Sequence, residues 1–115
     1  MDKVLITGGA GYLGSTLTQH LLNNGYIVDV LDNLMYEQTS LLHLCSHDNF
    51  RFMNADVTNF KFLKSIVSAY DVVIPLAAIV GGPACDKNKE LATKVNFEQI
   101  KCIVDNLRDD QKLIM

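Results

Sequence analysis

Three glycines are the residues of this chain whose type and spacing predict chemistry most clearly. Gly8, Gly11 and Gly14 follow the short apolar run 4–6 and open a segment in which leucines stand four residues apart. Glycine lets the chain turn off a strand and lets a phosphate approach the backbone without an intervening side chain. The free N–H groups at the start of a helix then favour negative charge. The spacing therefore predicts a pyrophosphate site between a strand and a helix.

Asp32 indicates which dinucleotide this site binds. It ends the next predicted strand, 24 positions after Gly8. Its carboxylate can accept hydrogen bonds from both hydroxyls of an adenosine ribose and would repel a 2′-phosphate. The combination predicts NAD rather than NADP. The alternative is a tight strand-to-helix turn that binds no ligand.

Further candidates follow the third and fourth predicted strands. Asp56 either accepts from the adenine amino group, with Val57 covering the ring, or begins an Asx turn that caps the next helix. These two roles are compatible. Ala77 and Ala78 are small enough for a ribose to approach the backbone, and the alternative for them is close packing of a helix on the sheet.

Strands and helices must alternate along the chain to bring these residues together. Five strands are predicted, over residues 3–6, 26–31, 50–54, 71–74 and 112–115. Helices separate them, including one over 11–24 with Gly25 as its C-cap. This alternation predicts an α/β fold, a Rossmann-type doubly wound parallel sheet in the order 3-2-1-4-5. The chain stops as the fifth strand starts, so we expect the fold to be truncated there.

The last predicted helix, which runs from roughly Asp86 or Lys89 to Leu107, carries one narrow polar face. On that face lie Lys94, Glu98, Lys101, Asp105 and Arg108. The remainder is apolar, so we expect a largely buried helix with Asn96 in the middle of its apolar arc. A buried amide without a partner costs about 1–3 kcal/mol, so Asn96 is expected to bond main chain near a strand end. The alternative is that Asn96 lies at a partly solvated edge of the apolar face.

Composition excludes several classes of function. The net charge is −3 and the two signs are interspersed, so no basic stripe predicts binding to nucleic acid. No apolar run reaches the length of a membrane span. The three cysteines have no spacing typical of a metal site, and free thiols in a reducing cytosol are the simplest interpretation. We therefore expect a cytoplasmic protein with no metal site.

Several short motifs together resemble a known family. They are T-G-G-A-G-Y-L-G at 7–14, L-D-N-L at 31–34, A-D-V at 55–57, L-A-A at 76–78 and V-N at 95–96. The chain resembles the N-terminal half of an extended short-chain dehydrogenase/reductase, the NAD-dependent epimerase/dehydratase family that acts on nucleotide sugars. The resemblance covers nearly all of the chain. It is specific for the family and uninformative about the individual sugar.

The resemblance implies a role for each matching residue. The residues that would contact the cofactor are Gly8, Gly11, Tyr12 and Leu13 at the pyrophosphate, Asp32 and Asn33 at the adenosine ribose, Asp56 and Val57 at adenine, and Leu76, Ala77 and Ala78 along the second ribose. Gly14 and Asn96 would support the site structurally.

The proton-transfer residues of the family are missing from the sequence. In relatives a Ser or Thr follows the fifth strand, and a Tyr-x-x-x-Lys pair follows on the next helix. None of the four tyrosines here has a lysine four residues later. We therefore predict that residues 1–115 are the N-terminal part of an NAD-binding domain, with no catalytic residue and no substrate domain.

The predicted function is the NAD-binding portion of a nucleotide-sugar epimerase or dehydratase, which transfers hydride to and from tightly bound NAD. The nucleotide sugar would bind through the missing C-terminal part, and this chain alone would be inactive. The alternatives are a stand-alone, non-catalytic NAD-binding module and a superfamily reductase with another substrate. A homo-oligomer is also compatible with the resemblance, since relatives often pair through helices.

Overall fold

The computed structural model describes residues 2–8, 12–32, 47–56, 58–76 and 94–114. Within these ranges five strands form one sheet: β1 (Lys3–Thr7), β2 (Ile27–Asp32), β3 (Phe50–Asn54), β4 (Val72–Pro75) and β5 (Lys112–Leu113). The helices are α1 (Tyr12–Asn23), α2 (Phe60–Ile66), which continues into a 3-10 turn at Val67–Ala69, and α3 (Gln99–Asp105), which follows a π-helical turn at Lys94–Glu98.

The five strands are all parallel and stand in the order β3-β2-β1-β4-β5. This confirms the predicted α/β class and strand order. β1 lies in the middle, between β2 on one side and β4 on the other. The direction of strand addition reverses between β1 and β4, and ligands of such sheets bind in the crevice outside the carboxyl ends of the strands at that point.

The two faces of the sheet form two separate cores, because successive side chains of a strand point to opposite faces. On one face Val4, Ile6, Val28 and Val30 pack with Leu22 of α1. On the other, a core cluster packs with α2 and α3; it contains Leu5, Leu31, Leu63, Val67, Tyr70, Val73 and Ile103. The strands are therefore held in place from both sides, which fixes the positions of their carboxyl ends.

The boundaries of the described strands and of α1 agree with the predicted ones to within one or two residues, and the predicted C-cap of α1 is confirmed. Gly25 follows α1 with φ +87°, the left-handed conformation that favours glycine. Asn59 caps α2, where its side-chain oxygen accepts from the Phe62 N–H at 3.3 Å. Among the described residues, no helix combines the length and apolar character needed to cross a membrane.

The expected burial of Asn96 is wrong. Asn96 is exposed, as are Phe97 and Val104, so the described part of this helix is not largely buried. The cause is the π-helical turn, whose i→i+5 hydrogen bonds place more residues in each turn than an α-helix does. A projection that uses the α-helical angle between residues therefore assigns residues on the two sides of this turn to the wrong faces relative to one another. Gln99 and Ile103 are the residues that face the sheet.

A buried carboxylate in the middle of β2 was not predicted as part of any network. Asp29 is only 3% exposed, and its Oδ2 accepts from the Tyr70 hydroxyl at 2.6 Å and from Arg51 Nη2 at 2.5 Å. Arg51 stands directly opposite Asp29 in the β2–β3 register. A buried charge is tolerated only when it is paired and hydrogen-bonded, which these two donors achieve.

α3 also packs against α2 through a thiol. Cys102 is a free, half-buried cysteine whose Sγ lies 3.8 Å from the Phe60 carbonyl oxygen. Burial, and secondarily the charge of Asp105, raises the pKa of the Cys102 thiol. The thiol is therefore in the protonated form that can donate weakly to that carbonyl.

Candidate cofactor site

The end of β1 carries the backbone turn that the glycine spacing predicts. Gly8 has φ +74°, a left-handed conformation that side chains rarely adopt. Its N–H donates to the Leu31 carbonyl of β2 at 2.8 Å, so the turn is fastened to the neighbouring strand. Glycine is required here by the backbone angle itself, independently of any ligand.

Asp32 lies beside this turn. Thr7 stands opposite Leu31 in the parallel β1–β2 register, so Gly8 and Asp32 are the next residues of two adjacent strands. Asp32 is half-buried, and its carbonyl accepts from the Ala55 N–H at 3.2 Å. The carboxylate that is predicted to select NAD is therefore held at the same sheet edge as the predicted pyrophosphate turn.

Asp56 forms the Asx turn that was one of its two predicted roles. Its Oδ1 accepts from the Thr58 N–H at 2.8 Å and from the Thr58 hydroxyl at 2.7 Å. Its carbonyl accepts from the Asn59 N–H at 3.0 Å, immediately before α2. The turn fixes Asp56 two residues beyond β3, next to the strand that ends at Asp32. A role at adenine is compatible with this turn and stays a prediction.

Leu76 follows β4 on the other side of β1. Its N–H donates to the Thr7 carbonyl at 2.8 Å, which continues the register in which Thr7 stands opposite Pro75. Gly8, Asp32, Asp56 and Leu76 therefore lie just beyond, or at, the carboxyl ends of four neighbouring strands. Two of them are carboxylates on the β2–β3 side, so that side disfavours an additional phosphate group.

The helix after the turn begins where the predicted phosphate site needs it. Tyr12 and Leu13 form the first two residues of α1, a helix of 12 residues, so its N-terminus lies near the carboxyl end of β1. Gly14 is buried, and its carbonyl accepts from the Thr18 hydroxyl at 2.7 Å. A residue without a side chain at this position lets the helix lie close to the sheet.

Five of the predicted cofactor contacts lie outside the described residues: Gly11, Asn33, Val57, Ala77 and Ala78. For these positions, and equally for the described ones, contact with the cofactor stays a prediction. In the described ranges, no cluster of three or more histidine, cysteine or carboxylate side chains could hold a metal ion.

Gln99 is a residue near the site that the sequence interpretation missed. It is fully buried, and its Oε1 accepts from the Thr7 hydroxyl at 2.7 Å. Asn96 was expected to supply a buried amide of this kind. The signal that could have identified Gln99 is its position four residues before Ile103, which places both on one face of an α-helix.

Comparison with known proteins agrees with this geometry. The sequence model of the NAD dependent epimerase/dehydratase family matches residues 4–112, nearly the whole chain. The chain belongs to this family. The match begins within β1 and ends at the first residue of β5, and it includes Gly8, Asp32, Asp56 and Leu76 at the carboxyl ends of the strands.

Individual members of the epimerase/dehydratase family show the same relationship. A UDP-glucuronate 4-epimerase of Thermodesulfobacterium geofontis is 33% identical over 95% of this chain and 36% of its own length. A UDP-N-acetyl-alpha-D-glucosaminuronate decarboxylase of Bacillus cytotoxicus is 31% identical over 98% of this chain and 35% of its own. The structure of an epimerase from Methanothermobacter thermautotrophicus superposes with a TM-score of 0.80 at 31% identity, over 91% of this chain and 31% of that one.

The chain thus spans about a third of the length of these relatives. Their names describe two reactions, epimerisation and decarboxylation, both on UDP-linked sugars. Family membership and the Rossmann-type fold are therefore established, and the reaction and the sugar are not distinguished by these matches.

Proposed function

We propose that this chain is the NAD-binding portion of a nucleotide-sugar epimerase or dehydratase. The observation that carries the proposal is a juxtaposition at the carboxyl ends of the strands: a left-handed glycine follows β1, a helix comes next in the chain, and Asp32 ends the adjacent strand. This arrangement offers a turn and a helix N-terminus to a pyrophosphate, and a carboxylate to the ribose hydroxyls.

The residues present fit NAD lying across the carboxyl ends of the strands, with its adenosine half on the β2–β3 side. Gly8 and the start of α1 would hold the pyrophosphate, and Asp32 would accept the hydroxyls of the adenosine ribose. Asp56 lies on the same side, where adenine would stand, while Leu76 lies across β1, where the second ribose would pass. Bound NAD supplies a hydride acceptor for a sugar carbon.

The nucleotide sugar and the groups that transfer protons would come from outside these 115 residues. Two facts support this part of the proposal: the chain spans about a third of its relatives, and none of its tyrosines is followed by lysine at the fourth position. We therefore expect residues 1–115 to bind NAD without turning over a sugar. The odd number of cysteines, without metal-site spacing, favours a reducing, cytoplasmic location.

Asp32→Ala tests the cofactor assignment directly. Loss of the hydrogen bonds from two ribose hydroxyls to a carboxylate is expected to raise the Kd for NAD by about ten- to a hundredfold. Asp32→Ala also removes the repulsion between the carboxylate and the 2′-phosphate of NADP. The Kd values for NAD and NADP should therefore become more similar. Isothermal titration calorimetry with both dinucleotides measures each effect.

The matched control is Asp48→Ala. Asp48 is exposed and precedes β3, at the opposite edge of the sheet from Asp32. Both variants remove one negative charge, so a change in overall charge would affect them equally. Unchanged NAD affinity in Asp32→Ala, with the chain folded, would contradict the assignment of Asp32 to the ribose.

A further inference from the structure

Thr7 occupies the point at which the two halves of the sheet edge meet. Its carbonyl accepts from the Leu76 N–H on the β4 side, and the residue that follows it, Gly8, donates to Leu31 on the β2 side. Any displacement of Thr7 would therefore shift both the glycine turn and the segment after β4. Both belong to the proposed NAD site.

The Thr7 side chain is itself held from outside the sheet. Its hydroxyl donates to Gln99 Oε1 at 2.7 Å, across 92 residues of sequence, and both residues are fully buried. A hydrogen bond between two buried polar side chains is sensitive to geometry, because losing one partner leaves the other desolvated. Gln99 thus fixes the rotamer of Thr7 as well as its position.

The helix that supplies Gln99 has a local irregularity immediately before it. The π-helical turn Lys94–Glu98 ends where α3 begins, so Gln99 is the first residue of the regular helix. Single π-helical turns within α-helices often occur at functional sites. Here the turn aims a long amide at β1 and leaves Asn96 exposed.

We propose that Gln99 is a positioning residue for the NAD site, acting through the Thr7 hydroxyl to hold the Gly8 turn in its binding geometry. This inference rests on the proposed function. It gives α3 an indirect influence on cofactor affinity, which Gln99 exerts through Thr7 without touching the cofactor.

The binding test uses two matched variants of Thr7. Thr7→Val removes the hydroxyl and keeps the shape, whereas Thr7→Ser keeps the hydroxyl. Loss of one buried hydrogen bond predicts that the Kd for NAD rises about three- to tenfold in Thr7→Val and returns towards the wild-type value in Thr7→Ser. Gln99→Met should raise the Kd similarly, and the double variant Thr7→Val/Gln99→Met should add little further.

All titrations are made well below the melting temperature of every variant, so that differences in Kd do not reflect unfolding. A bond with a purely structural role would lower the melting temperatures and leave the Kd of the folded chains unchanged. That result would overturn the proposal while the proposed function stands, because the wild-type chain would still bind NAD.

Amide hydrogen exchange provides a test that does not depend on NAD. The Gly8 N–H, bonded to Leu31, should exchange at least several-fold faster in Thr7→Val and Gln99→Met than in the wild-type chain. The Val28 N–H, which donates to the Asn49 carbonyl, reports global opening and should change less. Equal changes at both amides would overturn the positioning role, even if the wild-type chain failed to bind NAD and the proposed function itself were wrong.

Discussion

Tyr70→Phe is expected to lower the free energy of unfolding by about 1–3 kcal/mol at near-neutral pH, because it removes a hydrogen bond to a buried carboxylate. Tyr70 is 1% exposed, and its hydroxyl donates to Asp29 at 2.6 Å. In the variant, Asp29 keeps its contact with Arg51, whose side chain is 61% exposed and is therefore partly screened by solvent. Urea unfolding measures the difference.

Tyr70→Phe should lower the free energy of unfolding by less at alkaline pH. Burial, and then the hydrogen bond and charge of Asp29, raises the pKa of the Tyr70 hydroxyl above its ordinary value of about 10. Above that pH an unfolded chain releases this proton while the folded chain retains it, so the stabilisation falls as pH rises. The stability difference between wild type and Tyr70→Phe should therefore shrink above a pH of about 10.

Tyr26→Phe is the control for the stability loss expected in Tyr70→Phe. Tyr26 is half-buried and packs on the opposite face of the sheet from Tyr70. We expect Tyr26→Phe to change the free energy of unfolding by less than Tyr70→Phe does, because Tyr26 is less buried. A pH-independent difference for Tyr70→Phe would contradict the described coupling between Tyr70 and Asp29.

Gly8→Ala and Gly25→Ala separate backbone strain from cofactor binding. Both glycines have a positive φ, +74° and +87°, at which a side chain costs about 1–2 kcal/mol. Both variants should therefore lose similar stability. Gly8→Ala should in addition raise the Kd for NAD at least about tenfold, because the turn must shift where the pyrophosphate approaches the backbone.

Gly25 is a suitable control because it lies at the end of α1 away from the proposed site, and a Cβ added there meets no atom within 4 Å. Thermal melts compare the stabilities, and calorimetry at a temperature where both variants are folded compares the affinities. Equal NAD affinities in the two variants would show that the Gly8 turn does not hold the pyrophosphate.

The sheet and its edge could be predicted because their signals are local or periodic. Apolar runs mark β1, β2 and β4, while Gly25 and Asn59 mark helix ends through their own backbone and side-chain chemistry. Once the strand order is predicted, the carboxyl ends of the strands follow, and with them the neighbourhood of Gly8 and Asp32.

The two polar contacts inside the core could not be predicted from the same signals. Asp29 interrupts an apolar run, but its donors Arg51 and Tyr70 stand 22 and 41 residues away and meet it only in the folded sheet. The amide behind β1 belongs to Gln99 rather than Asn96 because a π-helical turn shifts the phase of the helix. A projection at a fixed angle per residue has no means of placing such a turn.

The most direct measurement is calorimetric titration of the wild-type 115-residue chain with NAD and, separately, with NADP, alongside a thermal melt of each mixture. We expect saturable binding of NAD, a higher melting temperature in its presence, and a much weaker response to NADP. A cooperative melt that neither dinucleotide shifts, with no heat of NAD binding, would contradict the assignment of a cofactor site at the carboxyl ends of β1 and β2.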